Sequence, residues 1–127
     1  NGIGGIIGAT GDGRLRVLNS YATGLLARTA GSGTGFGGII GTDAVAAAGG
    51  GGITPMPSTF TGSAWNTDTV GALGALSGYG TALTSAQMRT ITSFTTLGWG
   101  IVPTGTAPGT KPWAICSSIN NGFPYLQ

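Results

Sequence analysis

At 127 residues, with 27 glycines, 40% hydrophobic and only 6% charged side chains, the chain suits one packed core and lacks the charge of an intrinsically disordered segment. Five basic and three acidic residues give a net charge of +2, spread without a basic cluster, which argues against nucleic acid as a partner. Histidine is absent and Cys116 is the single cysteine, so neither a histidine-based catalytic site nor an intrachain disulfide framework can be built.

The first element is a repeat. Gly2-Ile-Gly-Gly-Ile-Ile-Gly8 returns as Gly35-Phe-Gly-Gly-Ile-Ile-Gly41, identical at six of seven positions. Between the copies, Arg14 and Arg16 alternate with Leu15 and Val17, the period of a half-buried strand. Short strands separated by turns within one period describe a coil of a parallel β-solenoid. In such a coil Ile3, Ile6 and Ile7 stack on Phe36, Ile39 and Ile40, and glycine serves where backbones approach closely. Residues 1–41 are therefore expected to form β-helix-like rungs. Two marked rungs fall short of the roughly three a solenoid needs, so the edge at Gly2, Ile3, Ile6 and Ile7 is expected to pair with neighbouring repeats or an identical subunit.

Residues 42–57, with an Ala run, four glycines and two prolines, read as an irregular connector. Residues 58–127 read as a small aromatic-rich β cap. Within it, 58–82 read as short strands and loops, and Thr84-Ser-Ala-Gln87 is a capping box predicting one short helix over 85–92. Beyond it lie Phe94, Leu97 and Trp99, a Gly/Pro-rich loop at 103–112, and the apolar patches 113–115 and 123–126.

Several residues invite a chemical reading. Gly33-Thr-Gly-Phe-Gly-Gly38 fits a dinucleotide-binding pattern, but the next stretch, Ile39 to Gly52, is too glycine-rich for the required helix, and the glycines belong to the repeat. Asp12, Asp43 and Asp68 are far apart in sequence and read as turn residues, not as a carboxylate pair or a metal site. Cys116, in a strand-like run, reads as a small buried thiol. No catalytic, cofactor or metal residue is assigned. Trp65, Tyr79, Trp99, Trp113 and Tyr125 could stack on surface glycans or fill the cap core. No apolar run reaches the ~18 residues of a membrane-spanning helix, so no membrane insertion is expected. The start on Asn1 and the low charge read as a piece of a longer secreted polypeptide.

The stretch 19–24, Asn-Ser-Tyr-Ala-Thr-Gly, together with the heptapeptide at 35–41, resembles the GLUG repeat of bacterial surface proteins. The segments 63–69, 78–99, 113–115 and 123–127, in that order, are similar to the region after the last such repeat in filamentous-haemagglutinin-like adhesins. The resemblance implies a solenoid-like fold and a cell-surface or extracellular role, and names no ligand. The expected function is a non-catalytic structural or adhesive module of a secreted bacterial protein. The alternatives are a subunit of an extracellular filament or surface layer assembling by strand-edge pairing and, less favoured, an accessory domain of a polysaccharide-active enzyme.

Overall fold

The computed structural model describes residues 2–10, 15–28, 35–43, 58–104, 106, 109 and 111–127. They form a mainly-β structure of short strands with few short helices. The repeat-bearing half begins with β1 (Ile3–Gly4), β2 (Ile7–Thr10), β3 (Arg16–Leu18) and β4 (Tyr21–Ala22). Four more strands come next: β5 (Phe36–Gly37), β6 (Ile40–Asp43), β7 (Thr59–Thr61) and β8 (Ala64–Asn66).

Each of the first four pairs in parallel with its counterpart, in the same order. Ile3 lies opposite Phe36, Ile7 opposite Ile40, Val17 opposite Phe60 and Ala22 opposite Trp65. The two heptapeptides therefore meet in register, and the ladder runs on to Thr10, which hydrogen-bonds Asp43 33 positions away. Later partners, such as Leu15 and Ser58, are 43 apart, the extra length falling in 44–57. That stretch, most of the expected connector, lies outside the described residues, as do Asp12, Arg14 and Gly33. Thr42 and Asp43, expected in the connector, instead extend β6 and pair with Ala9 and Thr10.

Packing explains the repeated glycines. A Cβ on Gly38 would run into the Trp65 ring, and one on Gly5 into the Ala22 methyl and the Gly38 carbonyl. Since Ala22 and Trp65 are register partners, the fourth residue of each heptapeptide faces the same column of β4 and β8 and must lack a side chain. Where the chain turns from β3 to β4, Asn19 has φ 45°, and at the matching turn from β7 to β8, Gly62 has φ 66°. Both are residue types that tolerate the left-handed region.

Helix α1 (Thr67–Val70) starts on Asn66, whose side chain accepts the Asp68 amide, and a 3-10 turn comes after it over Ala72–Ala75. Strand β9 (Thr81–Leu83) adds to β8 in parallel. The capping box at Thr84 and Gln87 is present, but it starts only the one-turn helix α2 (Ser85–Met88), and α3 (Ile91–Thr96) starts afresh at Thr90. The single helix expected over 85–92 is thus two, and the loops expected in 58–82 contain a third. The break has a local cause. The Thr90 hydroxyl donates to the Ala86 carbonyl, taking over an acceptor the next helical turn would use, while Thr90 itself is extended. β10 (Ile101–Pro103) then pairs in parallel with β11 (Trp113–Ile115), and β12 (Tyr125–Leu126) is antiparallel to β11.

Two apolar clusters hold the fold. One joins Val17, Ala22, Ile39, Trp65 and Val70; the other joins Ala64, Leu83, Met88, Phe94, Trp99 and Ile101, with Tyr21, Trp113 and Phe123 packed against it. Met88, Phe94 and Ile39 are fully buried, each contributing about 1.5–3 kcal/mol of transfer free energy.

Candidate functional site

The residues picked out from the sequence fall into an edge and a core. The edge is the outer side of β1 to β4. Among the described residues each of these strands has one hydrogen-bonded neighbour, on the side of β5 to β8. Ile3 is 50% exposed and Ile6 42%, with Ile7 half-buried, whereas the matching Phe36 is 5% exposed and Ile39 and Ile40 are 0% exposed. Leu18 and Leu25 on the same segment are also exposed. One motif thus occurs twice, once with its apolar side chains buried and once with them half exposed.

The five aromatics are mostly structural by placement. Trp65 and Trp99 are 5% and 4% exposed, so neither offers a ring face to a sugar, and of the two readings open for them both are core aromatics. The Trp65 ring lies against Gly38 and Gly74, and the Trp99 indole N–H donates to the Gly62 carbonyl. Trp113 is half-buried, its ring 4.7 Å from that of Trp99. Tyr79 packs 4.6 Å from Phe60, and Tyr125 shares a hydrogen bond of 3.0 Å with Thr104. The sequence placed Tyr21 among the repeat residues. Its ring nonetheless neighbours those of Phe94, Trp99, Trp113 and Phe123, and its hydroxyl donates to the Pro124 carbonyl.

The described carboxylates bind their own chain. Asp43 accepts hydroxyl hydrogen bonds from Thr10 (2.6 Å), Ser58 (3.0 Å) and Tyr79 (3.2 Å), tying both strand sets to the segment before β9. Burial first, and then the Asp43 carboxylate, push the Tyr79 phenol above its ordinary pKa. Asp68 accepts the Ser85 amide at 2.8 Å, a bond that holds its pKa below the ordinary value. Among the described residues no three of His, Cys, Asp and Glu come together as a metal-binding group, and no helix is long and apolar enough to cross a membrane.

Cys116 departs from the expected buried thiol. It lies half-buried just past β11, beside a hollow of about 180 Å³ that Arg89, Ser117 and Asn121 also line. Its Sγ lies 3.1 Å from the Ser118 hydroxyl, and hydrogen bonds from Ser118, then Thr104, lower its pKa to about 7. The signal is present in the sequence, since Ser117-Ser118 after Cys116 supplies hydroxyl donors where the strand ends. Arg89 closes one side, donating from Nε to the Asn121 carbonyl and lying 4.8 Å over the Phe123 ring.

Comparison with models of protein families, with curated proteins and with solved structures returns no match for this chain.

Proposed function

We propose that this chain is a non-catalytic structural or adhesive module of a large secreted bacterial surface protein, built as short parallel β-solenoid rungs closed by an aromatic-rich cap. The observation that carries the reading is the order of pairing, in which β1 to β4 lie parallel, one by one, on β5 to β8. A chain that returns over itself in the same order buries each layer on the next, and this is how repeat proteins build rigid, extended bodies. The two described aspartates support the same view, because both are engaged in holding segments together. The GLUG-repeat resemblance adds the surface location and the adhesin context.

The test is electron microscopy of native material with a label on this segment. Separate rods carrying the label at one end are expected. A regular filament or lattice with one copy per axial repeat would instead establish the subunit reading. Label confined to the cell interior would defeat both.

A further inference from the structure

The two ends of the strand stack differ. At the far side of the second set, the Gly38 amide donates to the Gly74 carbonyl at 2.8 Å, so the 3-10 turn at Ala72–Ala75 covers the edge beside β5. The far side of β8 is taken by β9. At the near side, β1 to β4 keep one edge without a strand among the described residues.

The backbone shows what that edge lacks. The amides of Ile3 and Gly5 donate to the carbonyls of Gly35 and Gly37 at 2.7 and 3.2 Å. Successive amides of a strand point to opposite sides, which turns the Gly4 amide outward, where no described residue accepts from it. Around it stand Ile3 and Ile6, half exposed, at positions that the second copy of the motif buries to 5% and 0% as Phe36 and Ile39. The molecule thus displays both the vacant and the filled version of one contact, and the filled version identifies the filler. It is a strand layer with glycines at the close approaches and branched aliphatic side chains between them, laid parallel and in register.

We propose that the edge of β1 to β4 is a docking surface for one further layer of Gly-x-Gly-Gly-apolar-apolar-Gly chemistry, and that the chain terminates such a stack rather than propagating it. This deepens the structural reading above and rests on it. A second copy of this chain is not the occupant. Among the described residues the second heptapeptide is buried throughout 36–41 whereas the first is not, so the open heptapeptide layers of two copies could meet only edge to like edge about a two-fold axis. That arrangement is antiparallel and puts the glycine and isoleucine columns out of register.

The experiment extends the chain by a second copy of residues 2–34 joined directly ahead of Gly2, in place of Asn1, and reads amide hydrogen exchange at Gly4 of the original layer. A control extension carries Asp at its counterparts of Ile3, Ile6 and Ile7. The tandem chain is expected to slow Gly4 exchange to the rate of the Ile3 and Gly5 amides, and the control to leave it fast. Fast Gly4 exchange in a folded tandem chain, with tryptophan fluorescence reporting an intact cap, overturns the proposal. The unextended chain supplies a second measurement that does not depend on the tandem folding. Its Gly4 exchange should be fast at every protein concentration, and protection that grows with concentration would make a second copy the occupant and overturn the proposal. Both readouts concern backbone pairing and not cellular location, so the docking surface and the surface-protein role can fail separately.

Discussion

Ile6 and Ile39 occupy the same place in the two heptapeptides, one 42% exposed and the other fully buried, so truncating each to alanine compares one contact in two environments. Ile39→Ala removes three carbons from a closed cluster that includes Trp65 and Val70. At about 0.8 kcal/mol per buried carbon, the transfer loss is roughly 2.4 kcal/mol. A cavity that only partly collapses brings the total to about 3–4 kcal/mol. Ile6→Ala removes the same atoms from a site already open to water, where scaling by burial leaves about 1.4 kcal/mol and no enclosed cavity forms. Urea unfolding followed by tryptophan fluorescence measures both, with unchanged m-values as the check that the unfolding reaction is the same. A gap of about 2 kcal/mol between the variants is expected from these two figures. Equal losses would refute the claim that the first layer is open where the second is covered.

Three further outcomes rest on the geometry. Thr84→Ala, which removes the hydroxyl accepting the Gln87 amide, should lower unfolding free energy by about 1 kcal/mol in the same urea assay. Gly38→Ala should destabilise strongly because the new methyl overlaps the Trp65 ring; combined with Trp65→Ala, most of that added loss should vanish, as a double-mutant cycle on melting curves would show. Cys116 alkylation by iodoacetamide should rise with pH around a midpoint of about 7, since the thiolate is the reacting form. Ser118→Ala, which removes the largest cause of the lowered pKa, should move that midpoint upward.

The pairing of the heptapeptides is legible in the sequence because repetition and register are one fact: identical spacing of glycine and isoleucine lets one copy lie on the other. The capping box is equally plain, being a contact between residues three apart. The contacts that escape a sequence reading join residues distant in the chain. Nothing near Gly38 shows that the Trp65 ring will lie on its α-carbon, or that Tyr21 will leave the repeat half to sit among Trp99, Trp113 and Phe123. Helix α1 escapes for a related reason. Asn66 works as a cap while fully buried, and its amide is held there by Ser85, whose hydroxyl accepts from Nδ2 at 2.9 Å. Trp65 and Trp99 stay open to two readings because an aromatic beside glycine looks the same in sequence whether it faces a sugar or a core. Cys116 differs from its expected burial because the strand stops at Ile115, one residue before the apolar run does, and the thiol falls in a turn.

The hydrogen bond from the Tyr21 hydroxyl to the Pro124 carbonyl spans 103 positions, and this has a kinetic consequence. Contacts so remote in sequence slow folding, because the loop they close must be ordered before the contact repays it. A chain emerging from its N-terminal end can lay β5 and β6 on β1 and β2 early, yet Tyr21 lacks the Trp113 and Phe123 rings and the Pro124 carbonyl until residues 113–124 have appeared. The aromatic cluster therefore acts as a clasp that shuts late, and chains cut short before Trp113 should linger as loosely closed, protease-sensitive species.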